Sequence, residues 1–112
     1  MKTHYMSLKP EPFDAIKIGL KDIEMRLNDE KRQRIEIGDI IAFTNTESYE
    51  IIKTVVLNKY CFDSFDALYK EFDKTRLGYC QNQIARPSDM EKYYSADEIS
   101  RFGVVGIEIQ LA

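Results

Sequence analysis

From Asp22 onward the chain alternates, with polar residues at 22, 24 and 26 and apolar ones at 23, 25 and 27. That period of two predicts a half-buried strand over 22–27, preceded by a turn at Gly19. Residues 3–8 alternate more weakly, with His4, Met6 and Leu8 on one side and Tyr5 and Ser7 on the other. They read as a strand whose His4 is a core or rim histidine rather than a catalyst. At the far end Val105, Ile107, Ile109 and Leu111 alternate with Gly106, Glu108 and Gln110, predicting a strand over 104–111 with one buried and one wet face. In the middle, 40–45 and 50–60 are rich in β-formers and are joined by turn chemistry at 44–48, which makes a hairpin. Both faces of this hairpin carry apolar residues, as expected where a core lies on one side and a covering helix on the other.

Helical spacing separates these strands. Pro10 and Pro12 suit a first helical turn, Phe13, Ile16 and Leu20 supply one apolar stripe, and Gly19 supplies the stop. Asp63, followed three residues later by Asp66, reads as the cap of a helix whose Phe65, Leu68 and Phe72 form a core stripe. Two S-x-x-E boxes, at Ser88 and Ser95, predict short helices near 88–94 and 95–102, the second ended by Gly103. Residues 28–34 are polar throughout, and read as a solvated turn capped by Asn28 or as a small basic rim of Lys31, Arg32 and Arg34. Residues 73–87 have no period and carry Arg76 and Tyr79; they read as a lid or pocket wall, and both residues are candidate ligand contacts. About five strands with helices between them give an α+β, mainly β class and a single domain over 1–112.

Composition narrows the chemistry. The 112 residues are 44% hydrophobic and 31% charged, as in an ordinary globular domain. No apolar run is long enough for a membrane span and no leader pattern opens the chain, so a cytoplasmic protein without a membrane partner is expected. Cys61, Cys80 and a single histidine are too few soft ligands for a zinc site, so no metal is expected, and the cysteines read as reduced thiols. The net charge is −3, yet residues 1–35 hold eight Lys/Arg against six Asp/Glu and the remainder eight against thirteen. The basic stripe that a DNA duplex would require is missing, which favours a small ligand or a short nucleic-acid element. No glycine-rich phosphate loop or G-x-S-x-G elbow is present, so Rossmann, P-loop and serine-hydrolase chemistry are excluded and no cofactor is implied.

Lys21, Glu24 and Arg26 are the candidate site. On a strand, Glu24 and Arg26 share a face roughly 6.5 Å apart, and Lys21 in the preceding turn can bend toward them. A solvated surface ion pair would look the same and contribute about 0 to 1 kcal/mol. As solvent-facing residues, each would tolerate neutralisation at a cost of about 0.5 kcal/mol or less. Gly19, Lys21, Glu24 and Arg26 match G-x-K-x-x-E-x-R, and through this motif the chain resembles the ASCH domain, a branch of the PUA-like superfamily. Residues 12–18, 38–43 and 103–109 resemble the family's framework as well, so the resemblance covers nearly the whole chain. It implies a small β-barrel of about five to six strands with covering helices, and an RNA-related or nucleoside-related function.

Some small ASCH proteins are similar to amidohydrolases that deacylate a modified cytidine. In that subgroup the lysine matching Lys21 is the base and a threonine the nucleophile, but Glu24 stands at the threonine's position here. Three functions therefore stay open. One is a binder of RNA, a nucleotide or a modified nucleoside through Lys21, Glu24 and Arg26. Another is a hydrolase of an N4-acylated cytidine-type amide or of RNA, in which Lys21 and Glu24 move protons. The last is a protein-interaction domain without a small ligand.

Overall fold

A computed structural model describes residues 1–112. The chain runs β1 (Thr3–Leu8), α1 (Pro10–Lys17), β2 (Ile23–Leu27), α2 (Glu30–Gln33), β3 (Ile40–Asn45), β4 (Ile51–Phe62), α3 (Phe65–Glu71), α4 (Ala96–Phe102) and β5 (Val104–Leu111), with a 3₁₀ turn at Pro87–Met90. The strands form one sheet in the order β1-β3-β4-β5-β2. Only β1 and β3 are parallel. The sheet curls into a half-barrel, so the α+β, mainly β class and the small barrel are present as expected. Its two edge strands, β1 and β2, are bridged by a side chain: Arg26 Nη2 donates to the Ser7 carbonyl at 3.2 Å.

Two apolar layers cover the two faces of β2 and β5. The concave layer joins Met6 and Leu8 of β1, Ile41 and Phe43 of β3, Val56 of β4 and Val105, Ile107 and Ile109 of β5, plugged by Phe13 and Ile16 of α1. The convex layer packs Phe65 and Leu68 of α3 on Ile23, Met25 and Val104. Because Glu24 pairs with Ile107 and Arg26 with Val105, and paired residues share a face, the charged residues of β2 lie on the concave side. Its apolar residues lie under the helix.

Several sequence-based expectations change for physical reasons. β5 has no wet face along Val104–Ile107, where all four residues are buried. Gly106 explains the tight cover: a Cβ there would stand 3.2 Å from Ile23 Cγ2 and 3.5 Å from Leu68 Cδ1, so α3 can settle on the strand. The open face belongs instead to β4, where Ile51, Lys53 and Leu57 are exposed. α1 ends at Lys17 with Gly19 at φ +83°, which leaves Leu20 beyond the stripe and 39% exposed. Ser64, not Asp63, caps α3, accepting from the Ala67 amide at 3.2 Å. Asp29, not Asn28, caps α2, accepting from the Arg32 amide at 3.1 Å. Of the two expected late helices, the first is only the 3₁₀ turn, whereas Ser95 and Glu98 form both halves of their capping box.

His4 sits at the rim, as read, with Nε2 2.8 Å from Asp39 Oδ2. Asp39 also accepts from the amides of Glu36 and Lys2. The His4 contact and these two amides hold its carboxyl well below the usual range and tie the start of β1 to the turn before β3. No helix is long and apolar enough to cross a membrane.

Candidate functional site

Lys21, Glu24 and Arg26 converge at the seam between the edge strands. Glu24 is the hub: Oε1 lies 3.3 Å from Lys21 Nζ, and Oε2 lies 2.8 Å from Arg26 Nη2 and accepts from Arg26 Nε at 3.0 Å. The expectation of a solvent-facing patch does not hold, since the side chains of Lys21 and Glu24 are each 5% exposed and that of Arg26 is 16% exposed. The reason is the concave placement of β2's polar face together with a roof from the segment after α3. Lys21 Nζ donates to the Leu77 carbonyl at 3.0 Å, and Gly78, at φ +106°, lies against the Lys21 side chain.

Burial by itself would push the Glu24 carboxyl up, but Lys21 and Arg26 outweigh it and hold the group below its ordinary value of 4.5. Burial likewise opposes charge on Arg26, and Glu24 outweighs it, with a further contribution from Tyr94. Glu24 is thus an anion at neutral pH with both oxygens engaged by cations. Two cations against one anion leave the cluster a net charge of +1. Arg26 Nε and Nη2 are engaged by Glu24 and the Ser7 carbonyl, and Tyr94 stands against the same guanidinium.

The roof sets a requirement at Gly78. A Cβ there would stand 3.2 Å from Lys21 Cδ on a backbone that side-chain-bearing residues rarely adopt. Gly78→Ala is therefore expected to cost about 1 to 3 kcal/mol in thermal or denaturant unfolding. An unchanged midpoint would mean that the roof is free to lift.

Arg76 and Tyr79 do not join this cluster. The Arg76 carbonyl accepts from the amides of Asp22 and Ile23 and docks the segment beside β2, but its guanidinium turns away to Asp22 at 2.8 Å and Glu108 at 2.7 Å. Residues 73–78 are consequently a packed roof with Leu77 buried, rather than a structureless loop. The Tyr79 hydroxyl pairs with Tyr69 at 2.9 Å and donates to Asp89 at 2.7 Å. It lines a separate cleft of about 410 Å³ with Gln83 and Arg86. A cleft of about 470 Å³ between Asn28, Cys61 and Phe102 also lies apart from the triad. Of the candidate basic rim, Arg32 is turned onto Asp29 at 2.9 Å. No three His, Cys, Asp or Glu side chains are grouped to hold a metal ion.

Sequence reasoning missed Ser7, Leu77 and Tyr94. Two of these act through, or beside, backbone that carries no residue signature, and the only signal for the third was the Tyr93-Tyr94 doublet in a polar stretch.

Comparison with known proteins gives a consistent picture. A family model described as the ASCH domain matches residues 6–112. The crystal structure of a hypothetical protein, PH0355, is 30% identical over 100% of both chains, with a TM-score of 0.83. The solution structure of PF0455 from Pyrococcus furiosus is 26% identical, over 97% of this chain and 96% of that one, with a TM-score of 0.74. The ASCH protein of Zymomonas mobilis shares the fold at 16% identity and a TM-score of 0.66, over 96% of this chain and 66% of that one. A search among curated proteins finds no match. With the signature cluster assembled and the family model spanning nearly its full length, this chain belongs to the ASCH domain family.

Proposed function

We propose that this protein binds RNA, a nucleotide or a modified nucleoside through Lys21, Glu24 and Arg26. The observation that carries this reading is the buried triad with its surplus positive charge, which reaches the seam through Arg26, 16% exposed. Such a site suits an anionic or carbonyl-bearing ligand held by charge-assisted hydrogen bonds. Glu24 fixes the two cations, so that they are preorganised when the ligand arrives.

A hydrolase acting on an N4-acylated cytidine-type amide or on RNA is the second reading. It is supported by the ion pair of Lys21 Nζ and Glu24 Oε1 at 3.3 Å, which sets an amine and a carboxylate side by side. Against it, Glu24 is a depressed-pKa carboxylate with both oxygens engaged, a poor base for activating water, and the Leu77 carbonyl occupies Lys21 from the other side. Binding is therefore placed first.

Two or three phosphate contacts at this site would give a log-log salt slope of about −1.5 to −2 for a short single-stranded RNA. Fluorescence anisotropy across a salt series measures it, with Arg26→Gln expected to lose binding. A slope of about −5 or steeper would replace the compact site with an extended basic surface. Release of acyl group from an N4-acylated cytidine, lost in Lys21→Met, would promote the second reading.

A further inference from the structure

Beside Arg26 the turn between the 3₁₀ segment and α4 carries two tyrosines that have different duties. Tyr94 faces inward: it stacks on Phe65 of α3, with ring centroids 6.1 Å apart at 17°, and contributes to the charge on Arg26. Tyr93 packs edge-on against Tyr94 at 6.5 Å but remains 51% exposed. Its ring has two cations for neighbours, Lys9 Nζ at 5.9 Å and Lys92 Nζ at 5.2 Å. Lys9 caps α1 and lies two residues after Ser7, whose carbonyl holds Arg26, so chain segments distant in sequence meet here.

Neither ammonium has a carboxylate partner within 4 Å, and neither donates a hydrogen bond within the protein; the molecule's ion pairs lie elsewhere. Both ammoniums lie over the ring and no ion pair holds them there, so an anion that engages them draws them off the ring and uncovers its face. A tyrosine face takes any flat aromatic partner. A ligand answering both features carries an unpaired base and a phosphate on one frame.

We propose that Tyr93 is a stacking shelf for an unpaired nucleobase, with Lys9 and Lys92 taking the adjoining phosphate, next to the Arg26 guanidinium. The inference rests on the reading of the triad as a nucleotide-type or RNA-type site, and it names where the base and its phosphate lie. The shelf accepts every base, because stacking uses the ring face and not the base edges. Discrimination between bases falls to the triad. The same chemistry is offered by a nucleotide within single-stranded RNA and by a free nucleoside monophosphate.

The test titrates the intact protein with a short single-stranded RNA oligomer and, separately, with a nucleoside monophosphate. It compares wild type with Tyr93→Leu, Tyr93→Phe, Lys9→Met/Lys92→Met and Arg26→Gln. Tyr93→Leu is expected to weaken binding roughly 5- to 150-fold, the stacking of one base, while Tyr93→Phe binds within a few-fold of wild type. The double lysine variant, which gives up one phosphate contact, should flatten the RNA salt slope by about 0.7. Loss confined to the oligomer assigns RNA as the source of the ligand, and equal loss for both probes assigns the free nucleotide. Circular dichroism and thermal unfolding confirm that each variant is folded. Full binding by Tyr93→Leu with loss in Arg26→Gln overturns the shelf and leaves the triad reading standing. The reverse result keeps the shelf and overturns the triad reading, and a wild type that binds neither probe overturns both.

Discussion

Glu24→Gln is expected to lower the stability of the folded protein by about 3 to 5 kcal/mol, the usual cost of removing one partner from a buried ion cluster. Glutamine keeps the shape but leaves Lys21 and Arg26 facing each other without an anion, in a place where Lys21 is 5% exposed and water cannot substitute. For a domain of this size the melting temperature should fall by roughly 10 °C or more. Chemical denaturation read by circular dichroism gives the free energy directly. A cost near 0.5 kcal/mol, the value for a solvent-facing residue, would show that the triad is open to water after all. A companion measurement separates charge from contact: Glu24→Gln combined with Lys21→Met should be less destabilising than the sum of the two single changes, because the second removes a charge that the first has orphaned.

The strands were largely legible because their periodicity is a direct record of two-faced burial. Residues 40–45 and 104–111 coincide with β3 and β5, and the grouping of Lys21, Glu24 and Arg26 followed from strand geometry and turn placement. What the pattern could not report is which face is the wet one. A period of two says that Glu24 and Met25 point to opposite sides, but the covering of both sides comes from α3 and from the roof at Leu77, which are far away in sequence. The same limit explains β5, where Gly106 looked like an exposed interruption and is in fact the seat of α3. The cap at Ser64 was missed by one residue because Asp63 and Ser64 are both good caps, and only the tertiary position of the first turn chooses between them. Arg76 and Tyr79 were grouped with the site because they share an aperiodic segment, yet successive side chains of a tight turn diverge, and their partners are Asp22, Glu108, Tyr69 and Asp89.

Met25→Ala is expected to cost about 2 to 5 kcal/mol through lost burial and the cavity left under α3. The side chain is 7% exposed and packs with Ile23, Phe65 and Leu68, on the face of β2 opposite the triad. In magnitude this overlaps Glu24→Gln, so stability at neutral pH alone does not distinguish the two residues. Acid does. The folded-state pKa of Glu24 lies below its ordinary value of 4.5, so between those two values the unfolded chain holds more protons and falling pH favours it. The stabilisation from the triad is complete above about pH 4.5 and is lost as pH falls through the folded value. Glu24→Gln has no such group to titrate, so its deficit relative to wild type should shrink as the pH falls below 4.5. The deficit of Met25→Ala, which is apolar in origin, should persist at every pH at which the protein is folded. Function should divide the same way: the folded fraction of Met25→Ala keeps the triad and binds as wild type does, while Glu24→Gln loses binding even where it is folded. Denaturant unfolding at a series of pH values, paired with RNA titration corrected for folded fraction, reads both. If the Glu24→Gln deficit stayed constant through the acid range, the charge of Glu24 would not be the source of its stabilisation, and the triad would have to be understood as a packing contact.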